Sequence, residues 1–181
     1  MPRLRPIDYE SSEGKTKELL DRVESKMGML PNIFRTLANS PAVLEGFVCL
    51  RESLEGGVLP EKLREEIALS VSQCDHSDYC LRGHTAIGKT VGCSNEEIMD
   101  ARRGLSSDRK VRVALQFART VVEKRGWVAD EDLIRVREAG YNDEEITEMI
   151  GWMALCIFGD YFSQVTQPEV DFPAVPELVG A

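Results

Sequence analysis

Histidine is nearly missing from this chain: its 181 residues hold 2, alongside 5 cysteines. Basic charge is also scarce, with 22 Lys and Arg against 31 Asp and Glu and a net charge of −9. That balance excludes nucleic acid as a partner, because phosphate binding needs a concentrated basic surface. No apolar run is long enough to cross a bilayer, so no membrane partner is expected. The opening Met1-Pro2-Arg3-Leu4-Arg5-Pro6 leads into polar sequence and lacks a signal peptide's apolar core, which makes a reducing cytoplasm the expected compartment. A disulfide framework is missing too, since the cysteines at 49, 74, 80, 93 and 156 are odd in number and irregularly spaced. No segment keeps the two-residue period of a strand, and no low-complexity tract or composition shift marks a domain boundary.

What is there reads as helices. The 43% hydrophobic content supports one all-α domain with a substantial core over residues 1–181. Ser11 or Ser12 is placed to cap a first helix, with Leu19, Leu20, Val23 and Met27 on its apolar side and Gly28 at its stop. Pro31 starts a short helix to Ala38, and Ser40-Pro41 opens one with Val43, Leu44, Phe47, Leu50 and Leu54 on one stripe. Leu59-Pro60-Glu61 begins a helix whose run from Ile67 to Val71 is apolar almost all round, so it belongs at the centre. It ends near Cys74, and Ser77 caps another that reaches Val91-Gly92. Further starts fall at Ser94, Ser107-Asp108, Asp130 and Asn142. The section from Met149 to Phe162 predicts a core helix partly covered by a partner subunit, and 166–181, with Pro168 and Pro173, an extended arm beyond a core of about 11–165.

Both histidines and two cysteines fall in eleven residues, Cys74-Asp75-His76-Ser77-Asp78-Tyr79-Cys80-Leu81-Arg82-Gly83-His84. Thiols and imidazoles carry nucleophilic, redox and metal chemistry near neutral pH. With Ser77 as N-cap, Cys80 occupies the third helical position, where free N–H groups and the helix dipole favour thiolate, while Asp75 and Asp78 oppose it. His84 lies one turn on, on the same face, so the pair can act as nucleophile and proton acceptor. Two other readings stand beside this one. Cys80 and His84 can be a buried thiol and a hydrogen-bonded core histidine, or Cys74, His76, Cys80 and His84 can ligate a divalent metal, although their spacing is not a usual finger pattern. Cys49 and Cys156 lie within apolar stripes and read as core thiols, and Cys93 as a loop thiol.

The chain resembles the carboxymuconolactone decarboxylase superfamily, and within it the alkyl hydroperoxidase D-like, peroxidase-related proteins. The residues that carry the likeness are Leu59 to Leu69 and Tyr79 to Lys89, supported by Leu30-Pro31-Asn32-Ile33-Phe34, Phe158-Gly159-Asp160-Tyr161-Phe162 and Asp171-Phe172-Pro173. The family's pattern is a Glu, then Cys-x-x-Cys, then a His four residues beyond the second Cys. It falls here on Glu65, Ser77, Cys80 and His84, with Ser77 where the first cysteine stands. Periodicity alone puts Glu66 nearer the apolar stripe, and Glu66 reads as a solvated helix charge. The resemblance selects Glu65.

The resemblance implies an all-helical homo-oligomer and a thiol-dependent antioxidant peroxidase (peroxiredoxin-type activity) acting on a small hydroperoxide. In it Cys80 attacks, His84 and Glu65 relay the proton, and Ser77 caps the helix and hydrogen-bonds the sulfur. Serine cannot form the family's disulfide, so resolution falls to Cys74 across the turn or to an external thiol reductant. No haem or flavin motif is evident, so no cofactor is expected. A lactone decarboxylase-like acid/base reaction by Glu65 and His84, or a non-catalytic metal-binding scaffold, are the alternatives.

Overall fold

A computed structural model describes residues 1–178, and every regular element among them is a helix. In chain order these are α1 (Gly14–Met27), α2 (Asn32–Leu37), α3 (Pro41–Glu55), α4 (Glu61–Cys74), α5 (Asp78–Thr90), α6 (Asn95–Arg102), α7 (Arg109–Glu123), α8 (Asp130–Glu138) and α9 (Asp143–Thr166). The capping expected at Ser40, Ser94, Asp108 and Asn142 is present. The Ser40 hydroxyl accepts from the Val43 N–H at 3.4 Å, and Ser94 and Asn142 each exchange two hydrogen bonds with the glutamate three residues on. Asp108 accepts from the N–H groups of Lys110 and Val111.

Helix α4 occupies the centre, as its apolar run requires. Ten consecutive residues, Leu63 to Ser72, are buried, and the helix packs against α5, α6, α7 and α9. Trp152 of α9 fastens that helix to α4 by donating its indole N–H to the Arg64 carbonyl at 2.7 Å. Helices α1, α2 and α3 cover the α9 side, so α5 and α9 meet along a face enclosed by α2 and α3. No helix among the described residues is long and apolar enough to cross a membrane.

Four details correct the expectations from sequence. Ser11 and Ser12 turn their hydroxyls back to Asp8 and Tyr9, and Glu13 takes the N-cap of α1 without a side-chain bond. On α3 the buried stripe is Leu44, Phe47 and Val48, which leaves Val43, Leu50 and Cys49 exposed. The expected stripe began one residue early, and over the turns of a short helix that rotates its apolar edge by about 100°. At α8 the cap is Ala129, and Asp132 reaches back to its N–H at 2.9 Å. Thr166 still belongs to α9, so the arm starts at Gln167; its last residues, 179–181, lie outside the described residues.

The arm is tied down rather than loose. The Asp171 carboxylate accepts from the Asn32 backbone N–H at 2.9 Å, from Asn32 Nδ2 at 2.8 Å and from the Tyr79 hydroxyl at 2.5 Å. Arg102 donates to the Pro176 carbonyl at 2.8 Å. These anchors draw Phe172 across the N-terminal half of α5, where its ring lies over Gly83. A Cβ at that position would stand 3.3 Å from the ring, so the glycine permits the close approach.

Candidate active site

A cavity of about 70 Å³ opens between α2, α3, α5 and α9. Cys80 and His84 reach it from α5, Phe34 from α2, Phe47 from α3, and Trp152, Leu155 and Cys156 from α9; Phe172 of the arm closes one side. The i,i+4 spacing on α5 puts the thiol and the imidazole on one face, as the sequence implies. Behind the imidazole, Glu65 of α4 is 3% exposed, and its Oε2 lies 2.8 Å from His84 Nδ1. With the carboxylate as acceptor, the imidazole hydrogen is held on Nδ1 and Nε2 is left as the basic nitrogen. The imidazole is thus oriented by a buried carboxylate at the edge of an apolar cavity.

The thiol is also held, though not as expected. Cys80 is the third residue of α5, but burial pushes its thiol well above the ordinary range, and the Asp160 carboxylate beside it adds to that shift. The helix-terminus effect is worth less than this desolvation, so the resting group is the thiol rather than the thiolate. Ser163 of α9 lies 3.7 Å from the sulfur. Its hydroxyl donates to the Asp160 carbonyl at 2.9 Å, so it receives hydrogen bonds from its neighbours. Ser77 stands at the N-cap position of α5, but its side chain makes no cap; the hydroxyl lies 3.1 Å from Ser163 Oγ. The serine in the first-cysteine position thus belongs to the polar group around Cys80.

The eleven-residue cluster divides in space. Cys74 ends α4 with Arg119 and Glu123 of α7 among its charged neighbours; burial raises its thiol to about 11, and it is not part of the cavity wall. His76 is exposed, in a left-handed turn conformation (φ 55°), and lines a different surface hollow with Asp78 and Gln164. The metal reading therefore fails: Cys74, His76, Cys80 and His84 do not converge, and no group of three or more His, Cys, Asp or Glu among the described residues can hold an ion. Glu66, read as a solvated charge, is 5% exposed and is corrected to a buried one. Cys156 is the core thiol expected, Cys49 is not, and Cys93 is a buried loop thiol.

Asp160 is a site residue that sequence reasoning missed. Fully buried on α9, it accepts from Ser72 through Oδ1 at 2.9 Å, while Oδ2 has no partner. Burial raises it from 3.8 to about 6, and the Ser72 hydrogen bond and the charge of His84 offset part of that cost. One signal was available, since Asp160 is the one charged side chain in the apolar section from Met149 to Phe162. A buried carboxylate there needs a reason. The clasp of Asp171 and Phe172 over the cavity had no comparable local signal.

The fold is all-helical and of the alkylhydroperoxidase AhpD-like type. Residues 41–124, which include Glu65, Ser77, Cys80 and His84, match the Carboxymuconolactone decarboxylase family. Over that segment the chain is similar to the carboxymuconolactone decarboxylase and AhpD-like superfamily. Among solved structures it is similar to an AhpD-core, peroxidase-related protein from Ralstonia eutropha, with 21% identity and TM-score 0.81 over 94% of this chain and 92% of that one. A peroxidase-related protein from Silicibacter sp. gives 22% and 0.78 over 91% and 90%. A cysteine-to-alanine variant of the debrominase Bmp8, in complex with 2,3,4-tribromopyrrole, gives 20% and 0.81 over 93% and 91%. At these identities the likeness shows the fold. No curated protein sequence matches the chain.

Proposed function

We propose that the protein is a thiol-dependent, peroxidase-like oxidoreductase that reduces a small hydroperoxide with electrons from an external thiol. The observation that carries this reading is the shared cavity, in which Cys80 and the imidazole of His84, held from behind by Glu65, line one apolar space of about 70 Å³. A buried thiol held protonated is a weak nucleophile until a neighbour takes its proton, and His84 Nε2, oriented by Glu65, is the base for that task. The sulfur then attacks the hydroperoxide. An S–O bond forms, the O–O bond breaks, and the alkoxide leaves with the proton returned from His84. Cys80 becomes a sulfenic acid, which an external thiol reduces back. Ser77 and Ser163 supply the polar surroundings of the sulfur, and Cys74 lies outside the cavity. The small cavity and its apolar wall favour compact, uncharged hydroperoxides.

A second reading, lactone decarboxylase-like acid/base chemistry by Glu65 and His84, draws support from the protonated state of Cys80, which leaves the carboxylate–imidazole pair as the reactive group. One experiment separates the two. Excess dimedone present during tert-butyl hydroperoxide treatment is expected to intercept the Cys80 sulfenic acid as it forms, with label and turnover both lost in Cys80→Ser. Turnover that survives Cys80→Ser but not His84→Ala would sink the thiol mechanism and favour the acid/base one.

Self-association and a cytoplasmic setting complete the proposal. Along α9, Ile150, Phe158, Tyr161 and Val165 are exposed on one stripe, an apolar surface of the kind a second copy of the chain covers. Sedimentation is expected to give a homo-oligomer, and a monomer at micromolar concentration would remove that element. The free thiols suit a reducing compartment.

A further inference from the structure

With Ser77 in place of the first family cysteine, and Cys74 outside the cavity, an oxidised Cys80 needs another partner. The cavity contains one. Helix α9 presents Cys156, Gly159, Asp160 and Ser163 on a single buried face, at spacings of three and four. The Cys80 sulfur rests on that face, 3.7 Å from Ser163 Oγ and 3.7 Å from where a Cβ on Gly159 would stand. The missing side chain at Gly159 lets α5 approach α9 this closely. Cys156 lies three residues earlier on the same face, so its Cβ stands about 5–6 Å from the Cβ position at Gly159. Both thiols line the same cavity wall, and each is less than a tenth exposed.

We propose that Cys156 is the resolving thiol for Cys80. This rests on the reading of Cys80 as the peroxide-reactive group. Once Cys80 is a sulfenic acid, the Cys156 sulfur attacks the Cys80 sulfur. The S–S bond forms, the S–O bond breaks, and the departing hydroxide takes the Cys156 proton to leave as water. An external dithiol then reduces the disulfide and is itself oxidised, so the cycle converts one hydroperoxide and one dithiol into an alcohol, water and a disulfide. Asp160 is a buried carboxylate whose charge acts on both thiols, beside Cys80 and one turn beyond Cys156 on α9. The protein thus replaces a cysteine pair within one turn of helix by a pair across two helices.

The test is peptide mapping of the full-length protein after one equivalent of tert-butyl hydroperoxide without reductant, with free thiols blocked during acid denaturation. The expected product in the wild type and in Cys74→Ser is a Cys80–Cys156 linked peptide that is absent after reduction. In Cys156→Ala the same treatment is expected to leave Cys80 as a dimedone-reactive sulfenic acid. A Cys74–Cys80 link, or a sulfenic acid that persists on Cys80 in the wild type, overturns the inference and leaves the peroxidase reading standing. No oxidised Cys80 in either wild type or variant overturns both. The wild-type map needs no substitution, so misfolding of Cys156→Ala does not remove the test.

Discussion

Helix α4 carries two adjacent buried glutamates whose surroundings have little in common. Glu65 faces α5 and meets His84 at 2.8 Å beside an apolar cavity of about 70 Å³. Glu66, rotated by about 100° on the same helix, borders a cavity of about 350 Å³ with Lys62, Glu97, Asp108 and Lys110 in its wall, and among the described residues no donor bonds it. Burial raises Glu66 from 4.5 to about 7; Lys62 opposes that, while Glu97 and Asp108 add to it. Equal burial therefore does not give equal roles. The difference is that one carboxylate has a dedicated imidazole partner and the other only a diffuse ring of charges, most of it already paired as Lys62–Glu97 and Lys110–Glu145.

The strongest way to break that comparison is to neutralise each glutamate in turn. Glu65→Gln is expected to lower kcat/KM for hydroperoxide by about 10²-fold or more, the usual scale for loss of proton-transfer assistance. Glu66→Gln is expected to leave it within about twofold. Equal losses in a steady-state assay would show that the imidazole contact does not distinguish the two residues.

The two glutamates also show where the sequence was legible. Capping residues and apolar periodicity located the helices, because those signals are local. Periodicity pointed to Glu66 as the one nearer the core, and both turned out buried, because α4 is enclosed on every side and its register ceases to discriminate. Only the resemblance singled out Glu65. The separation of Cys74 and His76 from Cys80 and His84 was not legible, since eleven contiguous residues carry no record of which way a turn folds. Asp160 and Phe172 reach the cavity from segments about 80 and 90 residues away, contacts that only the tertiary structure specifies.

Asp160 gives the next largest effect, this time on stability. Its native value near 6 lies above the ordinary 3.8, so folding favours the protonated form. The stabilisation is complete below about pH 4 and is lost as pH rises through 6, which leaves a cost of about 3 kcal/mol at neutral pH. Asp160→Asn is accordingly expected to gain part of that amount at pH 7.5 and nothing at pH 3.5, as read by urea denaturation at both values. Glu66→Gln has the same sign over the window from about 4.5 to 7. Its gain is smaller, about 1–2 kcal/mol, because the adjoining cavity admits solvent that screens the charge. A stability difference that ignores pH would show that neither carboxylate is held at a cost.

The smallest effect is expected at the clasp, and it bears on whether the Glu65 side is a site for substrate at all. Phe172 is only half-buried, yet it forms one wall of the cavity, lies against Gly83 and meets the Tyr79 ring edge-on at 6.1 Å. Phe172→Ala removes one aromatic contact of about 1 kcal/mol, which corresponds to roughly a fivefold change in affinity. Because the ring is part of the cavity wall and carries no group that moves a proton, the change should appear as a KM raised about fivefold for a small hydroperoxide with kcat nearly constant. The anchors of Asp171 to Asn32 and Tyr79 remain in that variant, so the arm stays docked and the effect reports on the cavity wall alone. An unchanged KM together with a lower melting temperature would make the clasp a structural strap and would move the substrate away from the α5–α9 face.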